Sequence, residues 1–369
     1  MNITFLDFDD IKNPLLAGGQ ARATVEVGKR LVAKGHTLRV ICSKYPGYQD
    51  RTENGIEYIH IGLGTNDIRV NNFAYIFSIP FAVRKIKDAD IIVECFTAPM
   101  STLCTPLFTR IPVVGLPTSF DANRFSHKYH LPFSFIERYG SKLYKYFMPY
   151  TNAYRDKMKQ YNPNIESRVI PEGVGAEYFS IQPKKPKYIL YLGRIDINQK
   201  GLDLLLESYH LAKNEITYPL IIAGRGPDES RLKKLISHYK LTGRVTFVGP
   251  AFGKKKEQLL SHALYAVMPS RNEGFSLFAL EALASGVPIL AFDIPGFTWS
   301  KGKGMIKAKP FDTRGYAKIM TKYCQPNAIN PIKKIVKSEV KNFTWENVAM
   351  QFNEFFRYII ETEKRNKKL

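Results

Sequence analysis

The sequence is poor in cysteine. Its 369 residues hold 4, and Cys42, Cys95, Cys104 and Cys324 form no Cys-x-x-Cys pair. That excludes a visible zinc or thioredoxin-type redox motif and leaves buried thiols in a reducing compartment. No run of about 18 apolar residues exists, so nothing is expected to span a bilayer. The longest apolar segment, Phe73 to Val83, is shorter than that and contains Pro80. The opening residues, MNITFLDFDD, lack a basic stretch followed by an apolar one and are not expected to be a signal peptide. No Gly-x-Gly-x-x-Gly follows a strand, since Gly224-Arg225-Gly226 has no third glycine, and no Gly-x4-Gly-Lys-Ser/Thr loop occurs. Nicotinamide, flavin and P-loop fingerprints are therefore missing. Acidic residues are scarce, 33 against 54 Lys and Arg, giving a net charge of +21. Such an excess favours nucleic acid, anionic lipid or phosphorylated ligands. With no RNP segment, zinc finger or helix-turn-helix pattern, nucleic acid is not the expected partner.

What is present is an ordinary globular composition, 44% hydrophobic and 24% charged. At about 150 residues per domain, the length suits two domains. Short apolar runs alternate with helix-period segments throughout. Ile3–Phe8, Leu38–Cys42, Ile56–Ile61, Ile91–Cys95 and Val113–Leu116 read as buried strands, with a helix through Ala21, Val25, Gly28 and Leu31 that ends at Gly35. The Pro-, Gly- and Lys-rich stretches Asn162–Gly175 and Pro183–Pro186 read as an interdomain connection. A second series follows. Tyr188–Leu192, Pro219–Ala223, Val245–Val248, Ala266–Met268 and Pro288–Ala291 read as strands, and Leu202–Ala212, Glu229–His238 and Ser276–Ala284 as helices. Trp345–Leu369 reads as one helix ending in the basic KRNKKL. The expected class is α/β: two doubly wound, Rossmann-like domains facing across a cleft, residues 1–175 and 176–345, with 346–369 crossing back to the first. In open α/β sheets ligands bind at the C-terminal strand ends.

Three stretches carry candidate chemistry. In PSRNEGFSLFALEALASG, residues 269–286, Glu273 and Glu281 form a Glu-x7-Glu pair around a helix start near Ser276. The amides of Gly274, Phe275, Ser276 and Leu277 would point out of that helix N-terminus, a ready anion site. Glu273 is placed to accept sugar hydroxyls, and Glu281 to reach a ribose. Alone, such a pair is more often a capping carboxylate and an ordinary helix-face glutamate. In YILYLGRIDINQKGLDLLL, residues 188–206, Arg194 lies just past a strand and Lys200 just before a helix. Fork and point charge together suit a diphosphate, although two solvated cations would read the same in isolation. In PLLAGGQAR, Gly18 and Gly19 between strand and helix allow close approach of a phosphate or sugar, or simply a flexible loop.

These stretches, with VIPEGV (169–174), IIAGRGP (221–227), VTFVGP (245–250) and FTWENV (343–348), resemble glycosyltransferase family 4, the glycosyl transferases group 1, retaining enzymes of the GT-B fold. The resemblance covers nearly the whole chain and is most specific in the C-terminal half. It implies a retaining hexosyltransferase using a UDP- or GDP-sugar, with a glycan or lipid-linked acceptor, in polysaccharide, glycolipid or glycoconjugate biosynthesis. It implies that Arg194 and Lys200 hold the donor diphosphate, that Glu273 with the amides of Phe275 to Leu277 holds the sugar, and that Glu281 holds the ribose. Gly18 and Gly19 would close over the phosphates. The nucleotide sugar is a co-substrate, and no metal or other cofactor is expected.

The sequence departs from that family where many members carry a strand-end histidine near the acceptor. Here the segments read IIVECF (91–96) and GLPTSFDANRF (115–125), leaving Asp121 as the polar candidate and Glu94 as a second. His127 and His130 read as helix-surface residues. Glu172 and Arg225 replace the family's usual Asn and acidic residue in two turns. Asp7-Phe8-Asp9-Asp10 and Asp88-Ala89-Asp90 contain Asp-x-Asp, the metal-diphosphate motif of the other glycosyltransferase fold, without its context, and read as loops. The basic, aromatic stretch 140–160, Val83–Lys87 and the basic tail point to an anionic membrane surface, and hence to a cytoplasmic enzyme working peripherally at the inner face. A solvated Lys-rich surface is the alternative. Competing functions are another GT-B activity, such as a sugar phosphorylase or nucleotide-sugar epimerase, and nucleic-acid binding.

Overall fold

A computed structural model describes residues 1–98 and 100–366, apart from the side chain of Lys128. The chain divides into two compact units, Met1–Gly173 with Trp345–Leu369, and Val174–Thr344. Lys367, Lys368 and Leu369 of the basic tail lie outside the described residues.

The first unit is built on β1 (Asn2–Leu6), β2 (Thr37–Ser43), β3 (Arg51–Glu53), β4 (Ile56–Ile61), β5 (Ile91–Glu94), β6 (Val113–Gly115), β7 (Tyr146–Phe147) and β8 (Glu166–Ser167). They lie in the order β3-β4-β2-β1-β5-β6-β7-β8. The pairs from β4 to β8 are parallel, and β3 runs antiparallel to β4 at the edge, so this sheet is mixed. Ile3, Phe5, Val40, Ile92, Val93 and Val114 are buried, as apolar strands covered on both faces must be. The Gly19–Ala33 helix buries Ala23, Val27 and Leu31. It approaches the sheet so closely that a Cβ on Gly28 would lie 2.5 Å from Leu38 and 2.7 Å from Ile56. The Trp345–Asn366 helix packs on it, burying Trp345, Val348, Ala349 and Phe352. Arg30 joins the two helices through ion pairs of 2.6 Å to Glu26 and Glu346.

The second unit carries β9 (Tyr188–Leu192), β10 (Leu220–Ala223), β11 (Val245–Phe247), β12 (Ala263–Met268), β13 (Ile289–Phe292) and β14 (Met305–Ala308). All pairs are parallel, in the order β11-β10-β9-β12-β13-β14. From β9 the chain winds outward through β10 and β11, then returns to the other side of β9 as β12 and winds outward again. The switch point of this doubly wound sheet therefore lies between β9 and β12. In the first unit it lies between β1 and β5.

The aromatic residues of segment 140–160, read from the sequence as part of a membrane-facing surface, are turned inward. Tyr144, Tyr146, Phe147, Met148, Tyr150, Tyr154 and Met158 are all buried. Tyr146 and Phe147 form β7, Tyr144, Met148 and Tyr150 flank it, and Tyr154 and Met158 lie on the inner face of the Asn152–Tyr161 helix, so their mixture with lysines is that of a core flanked by solvated charges. No helix among the described residues is long and apolar enough to cross a membrane.

Candidate active site

The two loops at the switch point of the second unit are laced together. Beyond β9, the buried Tyr191 donates its hydroxyl to the Arg194 carbonyl at 2.8 Å. Asp196 caps the short Ile197–Lys200 helix by accepting from Gln199 N–H at 2.9 Å. Beyond β12, Arg271 N–H donates to the Gln199 carbonyl at 2.9 Å. Its guanidinium forms a two-pronged pair with Asp203 at 2.8 Å on each prong. Burial works against the Asp203 charge, but Arg271 outweighs it and holds the carboxyl below its usual range. Gly201, at φ +65°, lies between the loops, and a Cβ there would sit 2.0 Å from the Pro269 carbonyl oxygen. Only glycine accepts both the left-handed backbone and that approach. A third turn, Gly224-Arg225-Gly226, packs on the same strand end. Ile195 N–H donates to the Arg225 carbonyl at 2.9 Å, and a Cβ on Gly226 would collide with Ile195.

This lacing brings Arg194, Lys200 and Glu273 to one strand-end edge. Lys200 Nζ lies 2.7 Å from Glu273 Oε1, with the two side chains 18% and 5% exposed. Ser270 Oγ donates to the same oxygen at 2.6 Å. Sequence reading assigned this lysine and glutamate to different parts of a donor; in the structure they are paired with each other. Arg194 is exposed and donates to Gln199 Oε1 at 2.5 Å. Gly274, Phe275 and Ser276 are buried, and Ser276 caps the Leu277–Ala284 helix by accepting from Ala279 N–H. Of the first-turn amides, that of Ala279 is taken by Ser276, and those of Leu277 and Phe278 have no acceptor within the helix itself. Phe275 stacks on Trp299 with centroids 5.2 Å apart, and Gly296 packs against the Glu273 carbonyl, where a Cβ would lie at 2.2 Å. Glu281 is buried on the same helix and pairs with Lys256, whose ammonium also lies 5.3 Å from the Tyr178 ring centroid. Sequence reading missed Lys256. It sits 25 residues from Glu281 in a Lys-Lys-Lys run, and no local spacing distinguishes it from its neighbours.

The first unit has its own set at the β1/β5 switch point. Gly18 and Gly19 open the Gly19–Ala33 helix, Gly18 as its N-cap. The Gly18 N–H is already engaged, donating to Asp9 Oδ2 at 2.7 Å, while Ala17 N–H donates to Asp9 Oδ1 at 3.2 Å. Burial, reinforced by the Asp7 charge, pushes the Asp9 carboxyl up to about 7 against the pull of these amides. Asp7 is fully buried and accepts from Thr24 Oγ1 at 2.5 Å, and burial raises it too. For Asp10, burial is outweighed by a two-pronged Arg51 pair at 2.7 Å and by His60, which hold it well below the usual range. The Asp-Phe-Asp-Asp segment is thus a loop, as read from the sequence, and a buried one whose carboxylates form a hydrogen-bonding hub. In the second Asp-x-Asp, Asp88 pairs with Arg39, and Asp90 accepts from Asn2 N–H at 2.7 Å. Among the described residues no group of three His, Cys, Asp or Glu is arranged to hold a metal ion.

Asp121 is the N-cap residue of the Ala122–Tyr129 helix and is half-buried. Glu94 ends β5, is buried, and accepts from Ser101, Thr102 and Tyr144. His127 is exposed on the helix after Asp121, and His130, also exposed, follows its last turn.

Residues 17–178 match the family model described as Glycosyltransferase Family 4, and residues 177–300 match Glycosyl transferases group 1. Among curated relatives, O-antigen chain mannosyltransferase B of Escherichia coli is 29% identical over 168 residues, 44% of either chain. A GDP-mannose:cellobiosyl-diphosphopolyprenol alpha-mannosyltransferase of Xanthomonas oryzae pv. oryzae is 33% identical over 147 residues, 38% of either chain. The match thus spans about half the length of the curated relatives or less. Sucrose-phosphate synthase of Thermosynechococcus elongatus superposes with a TM-score of 0.81 at 18% identity, covering 98% of this chain and 100% of that one. The GT-B fold follows from that superposition and from the two α/β units, one on a mixed sheet and one on a parallel sheet, and its two family matches, which together run from residue 17 to 300, make the chain similar to glycosyltransferase family 4, the glycosyl transferases group 1.

Proposed function

We propose that the protein transfers a hexose from a nucleoside-diphosphate sugar to a hydroxyl of a glycan or lipid-linked acceptor, with retention of anomeric configuration. The observation that carries this reading is the convergence of Lys200, Arg194, Glu273 and a helix N-terminus on the switch point of the second unit. Open α/β sheets bind their ligands at such points, and this edge offers two cations and amide dipoles for a diphosphate beside one carboxylate for hydroxyls. In this proposal the diphosphate draws Lys200 away from Glu273, which then accepts from the sugar hydroxyls while Ser270 still orients it. Glu281, held by Lys256, faces the ribose. Within the first unit, Gly18 and Gly19 at a helix start are the candidates for an anionic group, and Asp121 is the candidate for the acceptor.

The acceptor oxygen forms a bond to the anomeric carbon on the face that the diphosphate leaves. The carbon–oxygen bond to the diphosphate breaks, and a phosphate oxygen of the leaving group takes the acceptor's proton. Lys200, Arg194 and the helix amides neutralise the growing charge, so that these residues do the work a metal ion does elsewhere. The relatives' names make GDP-mannose the first donor to test and a polyprenyl-diphosphate saccharide the first acceptor class. We place the reaction at the inner face of an anionic membrane.

The test is NMR of the protein with GDP-mannose, UDP-glucose, UDP-galactose or UDP-N-acetylglucosamine and a lipid-linked saccharide extract. The reading expects nucleoside diphosphate and an α-linked product from one donor. An inverted product, or phosphorolysis or epimerisation instead of transfer, would overturn it.

A further inference from the structure

The Ile68–Lys85 helix is apolar on two opposite faces. One face carries Tyr75, Ile79 and Val83, which are fully buried in the core of the first unit. At about 100° per residue, Phe73, Phe77 and Phe81 fall on the other face. They are 45%, 71% and 65% exposed. A core-facing amphipathic helix would place polar residues there. This stripe ends in cations, Arg84 and Lys85 in the helix and Lys87 just beyond. Beside it an open hollow of about 710 Å³ is lined by Arg84, Lys87, Leu107 and Arg110 among others, and Leu107 is itself 65% exposed. Among the described residues no ion pair engages Arg84, Lys85, Lys87 or Arg110, whereas nearby Asp88 is committed to Arg39 and Asp67 to Arg69.

We infer that this face, with Phe77 and Phe81 at its centre and Arg84, Lys87 and Arg110 at its rim, is the surface by which the protein docks on an anionic lipid bilayer. Rings enter the interface between headgroups and acyl chains, and the rim cations meet lipid phosphates. Charge complementarity selects this occupant. An apolar stripe edged by cations that no carboxylate among the described residues engages, Arg84 resting on the Phe108 ring at 5.1 Å, suits an anionic bilayer, whereas a second copy would set those cations against their own kind. The inference deepens the proposed function by giving its membrane partner a place. It rests on that reading only for the lipid-linked acceptor, because lipid binding needs neither donor nor turnover. The surface also differs from the segment 140–160, whose aromatics are internal.

The experiment is sedimentation of the full chain with vesicles of phosphatidylcholine alone and of phosphatidylcholine with phosphatidylglycerol, over a range of salt. Phe77→Ser with Phe81→Ser, Arg84→Glu with Lys87→Glu, and Phe252→Ser are compared with wild type. Phe252 is a control, 73% exposed in the other unit. Nucleotide binding, measured in parallel, reports separately on the donor-site reading. Wild type should bind the anionic vesicles and release with salt. The double serine variant should bind at least about tenfold more weakly, and the double glutamate variant should lose about fivefold per cation with a shallower salt dependence. Phe252→Ser should behave as wild type. Equal binding to neutral vesicles, or undiminished binding by the double serine variant, would overturn the inference. So would a dimer that the double serine variant converts to monomer while vesicle binding stays unchanged.

Discussion

Lys200→Met keeps the aliphatic stem and removes only the ammonium. That ammonium lies 2.7 Å from Glu273, whose side chain is 5% exposed. Removing one partner of a buried pair costs about 3–5 kcal/mol. Here Ser270 still donates to Glu273 and Lys200 is partly solvated, so the expected loss of stability is about 2 kcal/mol. In the proposed complex the same change removes a charged hydrogen bond to the diphosphate, about 1.5–3 kcal/mol, or about a 10- to 150-fold loss of nucleotide affinity. Adding Glu273→Gln separates the two effects. The neutral double variant should regain most of the lost stability, because no buried charge is left alone, yet remain as weak in nucleotide binding. Chemical denaturation and titration calorimetry with GDP and UDP read the two quantities. Undiminished nucleotide affinity in a folded Lys200→Met protein would refute the assignment of Lys200 to the diphosphate.

Three further outcomes follow from the geometry. Lys256→Ala should destabilise the protein by about 2–3 kcal/mol in denaturant, since it strands Glu281 inside the second unit. Gly201→Ala should cost more than about 2 kcal/mol and disorder nucleotide binding, because its Cβ meets the Pro269 carbonyl on a left-handed backbone; a melting temperature equal to wild type would contradict this. Asp9 has a folded pKa of about 7, above the 3.8 of the free carboxyl, so the fold binds its proton more tightly than the unfolded chain does. Its contribution to stability is complete below pH 4 and is lost as pH rises to about 7. Asp9→Asn should flatten part of that decline in denaturation series run across this range, leaving the share due to Asp7.

The sheets were legible because their signal is local. β4 and β9, and the helices Leu202–Ala212 and Glu229–His238, have the bounds that their apolar runs and spacing predict. The two-residue strands β7 and β8 are too short to carry a period, and β14 lies in a Lys-rich edge segment, Lys301–Lys309, whose charges mask it. The helix start at Ser276 was readable from a cap residue followed by an apolar run. The partners of the site were not. Lys256 reaches Glu281, and Lys200 reaches Glu273, across 73 residues in the second case, through the return of β12 beside β9. Residue type likewise misled at 140–160, where aromatic and basic residues alternate because one set faces inward. The Asp7–Asp10 segment carried a metal motif's letters, but Thr24, Gly18, Arg51 and His60, which occupy its carboxylates, come from elsewhere in the chain.

The most direct test of the central claim is the melting temperature of the wild-type protein and of Lys200→Met with GDP-mannose, UDP-sugars and the free nucleotides. A ligand at 100 times its Kd adds about 2.7 kcal/mol, a rise of several degrees. The account predicts that rise with one nucleoside-diphosphate sugar in the wild type, and its reduction to about half or less in Lys200→Met. No rise with any of them, or the same rise in both proteins, would contradict the assignment of this strand-end edge as the donor site.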